Sequence, residues 1–331
     1  MLQPPATNSK MPNVLILGGS GYIGLALAQS LVSSGNYTVW GSARTPEKAT
    51  LLLQNEITPI EADITDPNTL SAAIIANRID IVVDATSAHH QGGAILDGVK
   101  RAAVTRSSDL AEEGIVGPKI GFIYCSGTWI HGSPSVLASD LSPVASALAT
   151  DKPVRIVAGW RAAQEQAILA SRDVLEVAII RPGLIYGRGS WIWSPWWRPI
   201  LAAKQRGSTD VIRVPAEITA RPSTVHVTDV AAGLHAAVDR IHGLGTWPVF
   251  DLVAETVGVR DIVEAAKSGL GVTGAVEYTG TQGDVMLEAM SAVGNSEAGR
   301  ARAVLGWYPK RLEFVLNMPV YIRAWEAAQV D

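Results

Sequence analysis

Gly18, Gly21 and Gly24 follow the apolar run Asn13–Leu17 at three-residue spacing and lead into an amphipathic stretch that begins at Tyr22. A glycine at a strand end turns the backbone tightly, and a second lets it approach a pyrophosphate. A third seats the next helix close to the sheet, with the helix N-terminus facing the phosphates. Gly18, Ser20, Gly21, Tyr22, Ile23 and Gly24 are therefore read as a dinucleotide-binding loop. Its first gap is one position wider than in the commoner fingerprint, and its weight comes from lying between a strand and a helix. The second strand, Thr38–Ser42, runs into Ala43-Arg44 with no acid before Glu47. An acid at this place accepts the ribose 2′-hydroxyl, whereas an arginine pairs with a 2′-phosphate. Arg44, with Ser42 as a further donor, favours NADP(H) over NAD(H); the alternative is that Arg44 is only a solvated strand-end charge. Asp63, with Ile64, suits a contact to the adenine amino group. Ala85-Thr86-Ser87 ends the fourth strand, where the chain should pass beside the dinucleotide.

Two other groups of residues could do chemistry. Trp191, Trp193, Trp196 and Trp197 place four of the ten tryptophans within seven residues, and Trp129 and Trp160 could lie near the same mouth. One reading is an aromatic wall for a hydrophobic, ring-containing substrate; the other is packing between domains or at a dimer contact. His131, His226 and the pair His89-His90 are candidates for proton transfer near neutral pH. A hydrogen-bonded loop histidine is the alternative for His131, and capping or packing for His226. None has a metal-ligand pattern, so no metal is expected.

The elements that must position these residues alternate. Strands are expected at Asn13–Leu17, Thr38–Ser42, 58–61, 80–84, Ile120–Cys125 and 175–181, with helices at 22–33, Pro67–Ala76, 93–110 and 159–171 between them. Near-continuous apolar strands separated by helices predict an α/β fold: a Rossmann-type, doubly wound parallel sheet covered on both faces. Residues 187–224 are rich in Gly, Pro and Trp and suggest no long helix; a helix over Val227–Arg240 follows. The expected organisation is a nucleotide-binding domain over 12–186 and a smaller substrate-binding region over 187–331, with 224–240 returning to the first domain. Of the 331 residues, 47% are hydrophobic and 18% charged, and the net charge is −4. That balance gives no basis for binding nucleic acid. A single cysteine, Cys125, excludes an intrachain disulfide. No apolar run is long enough to cross a bilayer and no secretory signal is evident, so a soluble, cytoplasmic protein is expected. The first ten residues carry two prolines and no periodicity, which suggests disorder there.

The glycine loop, Asp63-Ile64, the segment Ile123 to Gly132, Arg181-Pro182-Gly183-Leu184-Ile185-Tyr186-Gly187 and Val225-His226-Val227-Thr228-Asp229 occur in order. This ordered set resembles the extended short-chain dehydrogenase/reductases, including the NAD-dependent epimerase/dehydratases, over about residues 12–240. The resemblance implies that Pro182 and Leu184 lie at the nicotinamide and that the following loop helps to form the substrate pocket. It also implies an active tyrosine followed four residues later by a lysine, which lowers the tyrosine pKa and holds the nicotinamide ribose. Here Val157 and Arg161 fall at those positions, and none of the seven tyrosines has a lysine four residues on. Arg161 can bind ribose hydroxyls or phosphate but is too basic to shuttle a proton. The family's catalytic hydroxyl position falls on Gly127, leaving Ser126 or Thr128 to replace it. Tyr186 is the first candidate proton donor, and Trp129, His131, Trp191, Trp193 and Trp196 are candidate substrate contacts. Relatives dimerise through a four-helix bundle, which would use helices at 93–110, with the stripe Ile95, Val99 and Ala102, and at 159–171.

The leading expectation is an atypical NADP(H)-dependent oxidoreductase acting on an apolar, ring-containing carbonyl or enone. The alternatives are a non-redox isomerase, lyase or cyclase on the same fold, and a catalytically inactive NADP(H)-sensing regulator.

Overall fold

The computed structural model describes residues 11–86, 90–142, 144, 151–207 and 209–329. The first ten residues, Ser87 and His89 lie outside this set. In chain order the elements are β1 (Asn13–Leu17), α1 (Tyr22–Ser34), β2 (Thr38–Ser42), α2 (Pro46–Gln54), β3 (Thr58–Ile60), α3 (Pro67–Ala76), β4 (Ile81–Asp84), α4 (Gly92–Glu112), β5 (Ile120–Cys125), α5 (Arg161–Ala170) and β6 (Leu175–Pro182). There follow β7 (Leu184–Tyr186), α6 (Ser194–Arg206), β8 (Ile212–Val214), β9 (Ser223–His226), α7 (Val227–Arg240), β10 (Val249–Leu252), β11 (Glu255–Thr256), α8 (Val259–Leu270), β12 (Val276–Tyr278), α9 (Val285–Met290) and α10 (Met318–Ala327).

A seven-stranded, mostly parallel sheet has the order β10-β6-β5-β4-β1-β2-β3. β1 pairs in parallel with both β2 and β4, so the strand order reverses beside β1. That reversal opens a crevice at the carboxyl ends of β1 and β4, the usual ligand position in open α/β sheets. All five residues of β1 are buried, as a strand covered on both faces requires. By contact density the chain divides into one unit of residues 1–122 with 173–176 and another of 123–172 with 177–331. The division falls within β5 and β6 rather than after Tyr186.

In the first unit, Ile95, Val99 and Ala102 of α4 are buried, and Gly98 packs against Leu70 of α3. The stripe considered for dimerisation is therefore consumed inside the chain. α2 was not anticipated, although Thr45-Pro46-Glu47 carries a start signal. Thr45 caps the helix by accepting the Lys48 N–H, and Pro46 fills a position whose N–H would be orphaned.

In the second unit, the tryptophan-rich segment forms a short 3-10 turn, Trp191–Trp193, and then α6, a 13-residue helix that corrects the expectation of irregular chain. Prolines 195 and 199 mask its helical signature, but Pro195 sits in the first turn, where no N–H partner is lost. Trp193, Trp196 and Trp197 are fully buried with Phe314 and Trp325. Trp193 stacks on Trp197 with ring centroids 5.7 Å apart and donates its indole N–H to the Ile185 carbonyl at 2.9 Å. Trp193 and Trp196 are thus core residues and not a substrate wall, whereas Trp191 is 61% exposed. Among the described residues no helix is long and apolar enough to cross a membrane.

Trp193→Ala should lower stability to chemical denaturation by about 3–5 kcal/mol, the cost of emptying a packed aromatic site. Trp191→Ala should stay within about 0.5 kcal/mol of the parent. Equal losses in the two variants would refute this division of the segment.

Candidate functional site: a glycine cradle and a buried charge network

In the first unit the glycine loop closes on itself. Gly21 donates its N–H to the Gly18 carbonyl at 2.8 Å, and Gly18 adopts a left-handed φ of +77°. A Cβ on Gly18 would lie 3.0 Å from the Ala85 carbonyl oxygen, so this loop backs directly onto the end of β4. A Cβ on Gly24 would lie 2.2 Å from the Gly18 oxygen, which leaves room for nothing larger. Gly21 caps α1 without any side-chain hydrogen bond. The first-turn N–H groups of a helix need acceptors, and an uncapped N-terminus after a glycine turn suits a phosphate. These residues fit a dinucleotide pyrophosphate.

At the ends of β2 and β3, Ala43, Arg44, Thr45, Pro46, Glu61, Ala62 and Asp63 line an open cleft of about 450 Å³. Arg44 and Asp63 are brought together there, and Arg44 is exposed. Asp63 Oδ1 accepts the backbone and hydroxyl of Thr65, at 2.9 and 2.7 Å, and hydrogen bonding to that hydroxyl holds the carboxyl below its usual range. Asp63 is thus an anionic acceptor. Ile64 is buried, and Ser42 is buried with its Oγ accepting the Gly18 N–H at 2.9 Å. Ser42 therefore braces the glycine loop through its lone pair and keeps its own O–H as a donor. Thr86 donates its N–H and hydroxyl to Asp84, whose carboxyl burial pushes up.

In the second unit the expected catalytic hydroxyls meet a network that the sequence did not announce. Ser126, just past β5, donates to Glu165 Oε1 at 2.6 Å. Arg181, in β6, grips both oxygens of the same carboxylate, with its Nε at 3.1 Å. The Arg181 Nη1 lies 3.8 Å from Asp251 Oδ1 in β10, and Asp251 Oδ2 holds His131 Nε2 at 2.7 Å. Asp140 Oδ2 accepts the Asp251 N–H at 3.3 Å, with Arg300 Nε 3.9 Å from its other oxygen. Glu165, Arg181, Asp251, Asp140 and His131 are all buried. Burial works against the Arg181 charge, but Glu165, Asp251 and Asp140 together hold its pKa above the usual arginine range. Arg181, directly after the apolar run 177–180 of β6, was the available signal for this network, since buried arginine requires paired partners.

Thr128, Trp129, His131 and Leu184 line one small cavity, about 10 Å³, together with Pro222, Ser223, Asn295 and Ser296. A void of this size holds about one water. Tyr186 does not join it. Its ring stacks on Phe314 with centroids 4.1 Å apart, its hydroxyl donates to the Arg311 carbonyl at 2.6 Å, and burial raises its pKa. The candidate proton donor is corrected accordingly: Tyr186 is a core residue. His226 caps α7 by accepting the Thr228 N–H, and burial lowers its pKa to about 4. Val157 is buried in a 3-10 turn, and Arg161 opens α5 with only 8% exposure.

Burial, reinforced by the neighbouring Asp251, pushes the Asp140 carboxyl up to about 7. The unfolded carboxyl titrates near ~3.9. Between these values the folded chain keeps a proton that the unfolded chain has released, so this group's contribution to stability falls as pH rises and is fully lost above about 7. Asp140→Asn should therefore gain on the parent at pH 8 relative to pH 5, by roughly 1–4 kcal/mol in urea unfolding. Identical pH profiles would contradict the assignment. Arg181→Met, which strands Glu165, should cost about 3–5 kcal/mol.

Residues 14–247 match the NAD dependent epimerase/dehydratase family. The fold is similar to that of dTDP-glucose 4,6-dehydratase from Bacillus anthracis in complex with NAD, with a TM-score of 0.69, 16% identity, and 96% of this chain and 97% of that chain covered. UDP-glucose 4-epimerase from Bifidobacterium longum, in complex with NAD+ and UDP, gives 0.66 at 18% identity, covering 96% and 98%. UDP-glucuronic acid 4-epimerase from Bacillus cereus, in complex with UDP-glucuronic acid and NAD, gives 0.67 at 15% identity, covering 96% and 99%. A search of curated proteins finds no match. The glycine cradle, the strand order reversing beside β1 and the family match over residues 14–247 agree: this chain belongs to the NAD dependent epimerase/dehydratase family.

Proposed function

We propose that this protein is an NADP(H)-dependent oxidoreductase in which the His131–Asp251 pair does the proton transfer that tyrosine and lysine do in its relatives. The observation that carries this reading is that His131 lines the small cavity beside Thr128 and Trp129 while Asp251 holds its Nε2 from behind at 2.7 Å. A carboxylate behind an imidazole fixes its tautomer and orientation, which positions the ring for proton transfer. Thr128 offers a hydroxyl in the same cavity to hold a substrate oxygen, whereas the Ser126 hydroxyl is engaged by Glu165. When bound, the dinucleotide supplies or accepts the hydride. His131 then gives its proton to the product oxygen in reduction, or takes it in oxidation, and Asp251 balances the charge on the ring.

The cofactor preference rests on Arg44, which is exposed in the cleft that also holds Asp63 and lies just before the capped start of α2. The similar structures named above contain NAD, so a preference for the 2′-phosphate would distinguish this chain from them. The substrate reading changes with the tryptophans. With Trp193 and Trp196 in the core, the cavity mixes Trp129, Leu184 and Pro222 with Thr128, Ser223, Asn295 and Ser296. At the volume of about one water it takes only the oxygen of a substrate, and its mixed lining suits the oxygen of a polar carbonyl or alcohol better than an apolar ring. A second reading, a dinucleotide-responsive protein without turnover, is favoured by Val157 and Arg161 at the places of the family's tyrosine and lysine.

Titration with NADPH and NADH, followed by energy transfer from tryptophan, should show tighter NADPH binding. Arg44→Ala should weaken NADPH by about 10- to 100-fold and leave NADH unchanged, the worth of a charge-assisted contact. Equal loss for both would refute the role of Arg44. With any carbonyl that is turned over, His131→Asn should lower kcat by about 10²–10⁴-fold. Tight NADPH binding with no turnover across a broad panel would replace the enzyme reading by the second one.

A further inference from the structure

The last helix of the second unit is apolar on both sides. α10 and the turn before it bury Phe314, Met318, Tyr321, Ile322 and Trp325 in the core, at the spacing of one helical face. The opposite side of a surface helix is ordinarily polar. Here it carries Leu316, 73% exposed, and Val320, 67% exposed, one turn apart, with Leu312 exposed just ahead of them. Tyr308 is exposed in the same segment. A single exposed apolar side chain needs no explanation, but a run of them marks a contact surface.

The backbone of this segment is firmly anchored. Asp229 accepts the N–H groups of Lys310 and Arg311 at 3.0 and 2.9 Å, and Glu255 accepts that of Phe314 at 2.7 Å. The side-chain amide of Asn317 spans the turn, donating to the carbonyls of Leu312 and Glu313 at 3.4 and 3.1 Å. Glu313 takes a left-handed φ of +62°, a strained conformation for a residue with a side chain. These bonds hold the strain in place, so Phe314 points inward while Leu312 and Leu316 stay in solvent. Charge then says what the ridge meets. Residues 308–323 carry Lys310, Arg311 and Arg323 against Glu313 alone, a positive surplus in a chain of net charge −4. All three cations are exposed, and none has an ion-pair partner among the described residues. A second copy docked two-fold through the same ridge would set these like charges against one another. A protein partner would need an acidic groove of matching outline. A bilayer accepts protruding apolar side chains of any outline and supplies anionic headgroups beside them.

We propose that Leu312, Leu316 and Val320, flanked by Lys310, Arg311 and Arg323, dock this protein reversibly on an anionic lipid surface. The contact is peripheral: the apolar side chains enter the headgroup boundary while the cations meet lipid phosphates, and no spanning helix is required. It goes beyond the function proposed above and does not depend on it.

Co-sedimentation of the full chain with vesicles should show binding to phosphatidylcholine containing about one-third phosphatidylserine, and little to phosphatidylcholine alone. Binding should fall at least about tenfold between roughly 0.1 and 0.5 M salt, as screening shortens the reach of the cations. Leu316→Ser combined with Val320→Ser should weaken it at least about tenfold. Lys310→Glu combined with Arg323→Glu should do the same, since each cation near such a surface is worth about fivefold. Both pairs change exposed side chains and should keep Tm within about 2 °C of the parent, and either pair serves if the other fails to fold. No binding by the parent, equal binding to the two kinds of vesicle, or equal binding by parent and variants would overturn the proposal. So would a mass that rises with concentration in lipid-free sedimentation velocity and is lost in the serine pair, which would give the ridge to a second copy. Binding of polyglutamate without binding of vesicles would overturn it too, in favour of an acidic protein partner.

Discussion

Arg181 sets the terms for the second unit. Its guanidinium is carried by a strand of the central sheet and is 2% exposed, so it stays charged only where carboxylates are delivered to it. Three elements must therefore arrive in register: α5 bringing Glu165, β10 bringing Asp251, and the segment after β5 bringing Ser126 and His131. Hydrophobic packing alone would tolerate small slips among these elements, because apolar contacts are not directional. Charge-assisted hydrogen bonds do not tolerate them, since each unmade bond leaves a buried group desolvated. The network thus specifies alignment more than it adds net stability, and the same alignment places His131 and Thr128 at one cavity.

The first unit solves a different problem with almost no charge. Its loop works by the absence of side chains at Gly18 and Gly24 and by a helix start that no side chain caps. Ser42 shows how closely this is tied to the sheet, since the hydroxyl at the end of β2 receives the N–H of the first loop glycine. What fits a phosphate here is backbone geometry, and geometry of this kind is held by the strands on either side.

The same contrast explains how far the sequence could be read. β1, β2, β5, α3 and α7 were legible to the residue because apolar period, capping residues and strand length agreed. The glycine loop was legible because backbone chemistry has a spacing. α2 and α6 lie outside the sequence expectation, the one because a nine-residue helix with only Ala49 and Leu52 buried carries a weak apolar period, the other because two prolines and four tryptophans obscure a helical face. Tyr186, Trp193, Trp196 and Trp197 look functional by residue type, and only their partners, Arg311, Phe314 and Trp325, reveal them as core. The charge network was illegible for the same reason: Glu165, Arg181, Asp251 and Asp140 have no common spacing and meet only in three dimensions.

Those long separations bear on how the chain is made. His131 and Asp251 are 120 residues apart, and Asp140 and Asp251 are 111 apart. During synthesis His131, Glu165 and Arg181 are made well before β10, so β6 gains its neighbour β10 only after Asp251 has arrived. Closing contacts over such distances is slow, and an edge of the sheet waits open in the meantime. The arginine that holds the elements in register thus meets Glu165 as soon as it is made, and Asp251 only after the polypeptide has passed its two hundred and fifty-first residue.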